Sequence, residues 1–194
     1  NTDVTLKGAF MNLFSESSYN VERFISPEFS ALISKTLKAQ LFDVVIFEGL
    51  YCAPYLSDVR SNSKARCVLR AHNVEYEIWQ QAAGESKRIK RTYFNFLAAR
   101  LRNYETAQWP LFDGIIAITG SDLYTMQSCC KTSGTACISL PTAIDTGLIK
   151  PEMNASNLQK VFHLGSMDWI PNQQAMEWFL KEVWPVVARD TKAQ

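Results

Sequence analysis

Five short runs of β-branched and aliphatic residues recur along the chain, and stretches with helical spacing separate them. They are VVIFE at 44–48, ARCVLRA at 65–71, GIIAIT at 114–119, ACISL at 136–140 and VFHLG at 161–165. The run beginning VVIF is apolar almost throughout, the pattern of a strand buried on both faces of a parallel sheet. Short strands alternating with helices are βα units. The chain is therefore expected to be α/β, with a Rossmann-like parallel sheet flanked by helices.

The intervening segments carry recognisable helix signals. Leu6, Phe10, Leu13 and Phe14 have helical spacing over residues 1–14, and a serine-rich turn and a short extended stretch, YNVERF, follow. Ser26-Pro27-Glu28 starts the next helix, with serine as cap and proline in the first turn. Phe29, Leu32, Ile33, Leu37 and Leu41 then mark one face of it. Further helices are expected over about 54–60, 74–83, 88–108 (stopped by Pro110), from Ser121-Asp122 onward, and over about 172–188. Residues 142–158 are polar and contain proline and asparagine, which predicts a linker. That linker divides the chain into two expected lobes, over residues 1–152 and 153–194. The chain starts at Asn1 and its last helix pattern runs on to Gln194, so it reads as a slice of a longer protein.

Composition narrows the partners. The 194 residues carry 20 Lys+Arg against 19 Asp+Glu, and a formal net charge of +1 exerts no global pull on nucleic acid or an anionic membrane. No apolar run approaches the ~18 residues that span a bilayer. Five cysteines without a C-x-x-C spacing, two of them vicinal at Cys129 and Cys130, argue against a disulfide or zinc framework and for a reducing compartment. A cytoplasmic location, extending to the inner face of a membrane, is the expectation.

Several chemistries lack their residues. There is no G-x-G-x-x-G fingerprint, P-loop or G-x-S-x-G elbow. No Asp-x-Asp pair occurs, and with only His72 and His163 no histidine cluster can hold a metal. Neither a cofactor nor a metal is expected.

In an open parallel sheet, ligands gather beyond the carboxyl ends of the strands. Arg70, His72, Asn73 and Glu75 fall where the second strand gives way to a helix. A neutral imidazole there can bind a hydroxyl, and Asn73 can bind a polar ligand. Equally, Asn73 can simply cap the helix, with His72 a satisfied structural residue. Glu48 and Gly49 follow the first strand, where glycine permits close backbone approach or a positive φ, or merely makes a tight turn. Thr119 and Asp122 repeat the geometry after the third strand, Asp122 first as a cap or first-turn carboxylate. Gly165 and Ser166 end the fifth run before a helix, a turn that can offer backbone N–H groups to phosphate. Lys87, Arg88, Lys90 and Arg91 crowd a segment whose one acid is Glu85, next to Tyr93, Phe94 and Phe96. Such a cluster either docks phosphates of an anionic lipid or acceptor or is a solvated helix start.

Taken in order, RAHNVEYEIWQQAA, R-x-Y, AARLRNYE, FDGIIAIT-x-x-D, LPTAID and FHLGSMDWIPNQQAMEWFLKEVWP resemble segments of bacterial glycosyltransferases of family 4. The resemblance covers most of residues 20–190, and its last motif is the most specific. It implies the GT-B fold, two Rossmann-like lobes facing a cleft, with the nucleotide-sugar donor held mostly by the second lobe. The acceptor, a saccharide or a lipid-linked saccharide, is held mostly by the first. It implies a retaining hexosyltransferase of polysaccharide or glycoconjugate biosynthesis, with a GT-B sugar-nucleotide epimerase or a non-catalytic sugar-binding lobe as the rivals. His72 matches the first-lobe histidine beside the donor sugar. Gly165 and Ser166 match the loop that approaches the donor phosphates. The family's opening strand and glycine-rich loop are not in this sequence. Nor are the second lobe's phosphate-binding Arg and Lys or its paired glutamates. The 194 residues alone are expected to be inactive.

Overall fold

A computed structural model describes residues 18–149, 161–168 and 170–191. The helix expected over residues 1–14 and most of the second half of the expected linker lie outside them. By packing, the chain parts into two units between Ala143 and Ile144.

The first unit is an α/β layer. Its elements are α1 (Tyr19–Glu22), α2 (Pro27–Ala39), β1 (Val44–Glu48), a 3-10 turn (Leu50–Tyr55), α3 (Leu56–Asn62) and β2 (Arg66–Ala71). They continue with α4 (Glu75–Gly84), α5 (Arg88–Gln108), a second 3-10 turn (Trp109–Leu111), β3 (Gly114–Ala117), α6 (Gly120–Cys130) and β4 (Ala136–Ser139). The four strands are all parallel and stand in chain order, β1-β2-β3-β4. The register aligns Glu48 with Arg70, Arg70 with Ile116, and Ile116 with Ile138. The α/β expectation holds, with the third and fourth strands shorter than their apolar runs.

Alternate strand residues point to opposite faces, and here the faces differ. Phe47, Cys67, Leu69, Ile115 and Ala117 are buried and pack with Leu101, Trp109, Phe112 and Met126 in one core. The opposite face leaves Val44, Ile46 and Ile138 about half exposed, at 48%, 53% and 53%. Strands added in one direction through right-handed crossovers put every connecting helix on the same side, which accounts for the asymmetry.

Local chemistry explains most of the boundaries. Ser26 caps α2 through its hydroxyl, which accepts the Phe29 N–H. YNVERF, expected to be extended, begins instead as the single turn α1: the Ser18 carbonyl accepts the N–H groups of Val21 and Glu22. Val21 is buried in the core. The Tyr55 hydroxyl fastens the segment that follows, donating to the Phe24 carbonyl at 2.6 Å and accepting the Ser26 N–H at 2.8 Å. That long-range clasp has no local sequence signal. At the amino end of the sheet the Asp113 carboxylate accepts the Cys67 N–H at 2.8 Å and takes Arg66 and Arg60 as ion-pair partners. It stitches β2 to β3 on the side away from the candidate site.

In the second unit, α7 (Ile170–Trp178), a π-helical turn (Phe179–Val183) and α8 (Trp184–Asp190) follow one another without a break. The Trp184 N–H reaches back to the Phe179 carbonyl. Pro185 has no N–H to continue the usual ladder, and a wide turn just before it accommodates the defect. Residues 161–165, expected as a strand, are irregular backbone, and they lie outside the four-stranded sheet. A strand needs a neighbour for its N–H and C=O groups, and this unit offers none among the described residues. Val161, Phe162 and His163 instead border an open cavity with Met176, Phe179, Leu180 and Trp184.

Candidate functional site

The carboxyl edge of the sheet gathers polar side chains that the sequence disperses over 28 positions, from Glu48 to Glu75. Parallel pairing places Glu48, the last residue of β1, beside Arg70 of β2, and His72 lies one residue beyond the end of β2. The Glu48 carboxylate receives His72 Nε2 at 2.9 Å and Arg70 Nη1 at 3.2 Å. These partners, the His72 hydrogen bond first and then the Arg70 charge, hold the carboxyl below its usual range against the opposing effect of burial. An ionised carboxylate only accepts hydrogen bonds. Nε2 is therefore the donor to Glu48, and Nδ1 is the ring nitrogen left for a ligand. All three side chains keep access to solvent, with His72 at 46% exposure.

Gly49 sets the exit of the chain from β1. Its φ of +89° and ψ of 161° fall in a region that residues with a Cβ avoid. Its N–H bonds the Arg70 carbonyl at 2.9 Å, extending the β1–β2 ladder by one rung. The positive φ that glycine permits is the conformation found here.

Behind the trio lies a second, drier layer. The Tyr51 hydroxyl donates to the Glu75 carboxylate at 3.0 Å. Burial raises the Glu75 carboxyl above its ordinary value, with bonds from Tyr51 and Asn73 opposing. Burial and the adjacent Glu75 carboxylate raise the Tyr51 hydroxyl in turn. Asn73 does not cap α4, as one sequence reading had it. Val74 is the first flanking residue, with no side-chain cap of its own. The cap comes from α5: the Glu105 carboxylate accepts the N–H groups of Glu75 and Tyr76, each at 3.1 Å. Glu105 is fully buried, and burial pushes its carboxyl up to about 8 in spite of those two donors. Two of the free donors at the α4 N-terminus are thereby taken by the protein itself.

Tyr51 and Glu105 are the residues that sequence reasoning missed. The capping carboxylate stands 30 residues from the helix it caps, so no capping-box spacing could reveal it. Tyr51 sits in a 3-10 turn that only the glycine exit positions.

The remaining candidates are placed as follows. Thr119, at the same edge beyond β3, is the N-cap of α6, and its hydroxyl accepts the Asp122 N–H at 3.1 Å. Asp122 is a first-turn residue there. Gly165 and Ser166 belong to the second unit. The Asn172 amide donates to the Ser166 carbonyl at 2.8 Å, and the Ser166 hydroxyl accepts the Asp168 N–H at 3.4 Å. A Cβ on Gly165 would come within 2.7 Å of His163 Nε2 and 3.0 Å of Asn172 Nδ2. Glycine is what lets those side chains close over the turn. Lys87, Arg88, Lys90 and Arg91 stand apart from the trio, at the start of α5.

An open cavity of about 460 Å³ lies elsewhere in the first unit, bordered by Val21, Ile25, Pro54, Arg60, Tyr104 and Leu111, and no member of the trio lines it. Among the described residues no three His, Cys, Asp or Glu side chains converge to hold a metal ion. Among the same residues no helix is long and apolar enough to cross a membrane. No protein-family model, curated protein or solved structure matches the chain. Fold and site therefore define an α/β protein with a carboxylate–imidazole–guanidinium cluster at the carboxyl edge of a parallel sheet. Function has to be argued from that cluster, since the fold by itself hosts many chemistries.

Proposed function

We propose that this chain is part of a retaining GT-B glycosyltransferase resembling family 4, carrying the acceptor-side lobe and the start of the donor-side lobe. Its substrates are a nucleotide-sugar and a saccharide or lipid-linked acceptor. The observation that carries the reading is the Glu48–His72 pair: an imidazole held by a carboxylate at the ligand-gathering edge of the sheet, with Nδ1 turned over to a partner. The RAHNVEYEIW context of His72 supports the same assignment.

In this reaction the acceptor hydroxyl attacks the anomeric carbon on the face from which the nucleotide leaves. A new glycosidic C–O bond forms as the bond to the diphosphate oxygen breaks, and the electron pair leaves with the diphosphate. The acceptor proton passes to a departing phosphate oxygen, so no protein nucleophile is needed. His72 positions the donor sugar by accepting a hydroxyl hydrogen bond at Nδ1, and Glu48 and Arg70 hold the ring in place. The turn at Gly165 and Ser166 approaches the donor phosphates. Charge on the leaving diphosphate is stabilised by backbone dipoles and basic groups.

The test is sugar transfer by the longer chain this reading implies, with a panel of nucleotide-sugars and acceptors. His72→Ala should lower turnover by about 10²–10³, the cost of one positioned hydrogen bond in a transition state, and leave nucleotide affinity nearly unchanged. Unchanged turnover would remove His72 from the site. Product formed equally well without acceptor would replace transfer by epimerisation.

A further inference from the structure

The hairpin of α4 and α5 ends in a tip built against its own helical stability. Lys87, Arg88, Lys90 and Arg91 are all exposed and lie in or beside the first turn of α5. That turn holds no acid, and Lys87 at the cap position makes no side-chain capping bond. Cations at a helix N-terminus oppose the macrodipole, which favours negative charge there. Among the described residues, none of the four forms an ion pair with an acid. Arg88 also has a φ of +34°, and no other non-glycine residue described has a positive value.

Apolar surface stands beside this charge. Ile89, in the midst of the four bases, is 87% exposed, and Phe96, two turns further along the same helix, is 38% exposed. Residues seven apart share a face of a helix, so the pair marks one stripe. The hairpin beneath is held firmly: Trp79 of α4 meets Phe94 of α5 edge to face, with ring centroids 5.4 Å apart. Lys90 Nζ lies 5.2 Å from the Phe94 centroid, and Arg100 covers Phe96 at 5.1 Å. The tip is cationic and carries an exposed apolar residue.

We propose that this tip docks the protein on an anionic lipid bilayer, the four bases meeting lipid phosphates and Ile89 entering the acyl boundary. Charge complementarity calls for an anionic surface. The exposed Ile89 and Phe96 select a bilayer over nucleic acid, whose backbone offers phosphates but no apolar layer. The docking surface is separate from the Glu48–His72 cluster and does not depend on the reaction assigned to it.

The test is co-sedimentation of the 194-residue chain with vesicles of phosphatidylcholine alone or with about 30% phosphatidylserine. Binding is expected only with phosphatidylserine, and to fall as salt rises from about 50 mM to about 300 mM, because screening shortens the reach of surface charge. The double variant Lys87→Ser and Arg91→Ser should bind ~25-fold more weakly, at about fivefold per base. Serine at the cap position favours α5, so the variant keeps its fold, and circular dichroism checks this. Ile89→Ser should weaken binding while keeping the salt dependence. Lys35→Ser with Lys38→Ser, on exposed positions of α2, should leave binding as it was. Equal binding to neutral vesicles, no binding to either kind, or full binding by the Lys87/Arg91 variant would overturn the proposal.

Discussion

Removing the buried carboxyl group of Glu105 should destabilise the first unit more than any change at the exposed trio. Its two oxygens accept the Glu75 and Tyr76 N–H groups at 3.1 Å each, in a site closed to water. In Glu105→Ala both donors lose their partner, at ~1–3 kcal/mol for each orphaned group. Relief from burying the carboxyl offsets part of this, leaving a net loss of about 2–4 kcal/mol. With a mid-range urea m-value of about 2 kcal/mol/M, the unfolding midpoint should fall by roughly 1–2 M. Glu105→Gln keeps the volume and one acceptor but turns an amide N–H₂ toward the second donor, so a smaller loss is expected. The pH dependence supplies a second readout. The folded-state carboxyl is raised to about 8 from a reference of 4.5. Between those values the folded state keeps a proton that the unfolded state has released, so stability is greatest below the lower value and is lost as pH rises toward the upper. Urea midpoints measured from acid to mildly alkaline pH should show this decline in the wild type. The decline should be clearly reduced in Glu105→Gln. An unchanged midpoint in Glu105→Ala, or the same pH slope in wild type and Glu105→Gln, would refute the capping argument.

Three further outcomes are expected. Gly49→Ala must place a Cβ at φ +89° and should cost ~1–3 kcal/mol; a melting temperature equal to wild type would show that the chain exits β1 differently. Thr119→Ala removes the hydroxyl that accepts the Asp122 N–H and should cost ~0.5–2 kcal/mol. Faster amide exchange should be confined to the first turn of α6, and uniform exchange across the unit would contradict a local cap. Nitrogen-15 spectra of His72 at alkaline pH should show the Nε2–H tautomer. Glu48→Ala should mix the two tautomers and Glu48→Gln should largely preserve the first, because its amide oxygen still accepts. A predominant Nδ1–H form in the wild type would undo the orientation argued for the ring.

The site was partly legible before any coordinates. Glu48, Arg70 and His72 could be named because a parallel sheet collects ligands at one predictable edge, and the strand runs say where that edge falls. Their mutual contact could not be named, since it depends on the register that sets Glu48 against Arg70. Asn73 misled for a related reason. An asparagine just before a helix is a sound local cap, yet a carboxylate from α5 occupies the donors first.

Periodicity and end signals by themselves determined the order of strands and helices from Pro27 onward in the first unit, the α/β class and the near-exact limits of α4 and α5. These rest on interactions within a few residues: capping by Ser26, the helix-ending proline, and the burial pattern of each short run. What tertiary structure alone decided is everything that joins distant positions. The turn at Tyr19–Glu22 stands where an extended stretch was expected, with Val21 packed into the core. Residues 161–165, equally apolar, form no strand because pairing requires a neighbour, which no local sequence can supply. Tyr51 and Glu105 acquire their roles only when helices fold back on the sheet. A lone carboxylate reads as surface charge in a sequence, and burial beside two unpaired N–H groups makes it a structural cap.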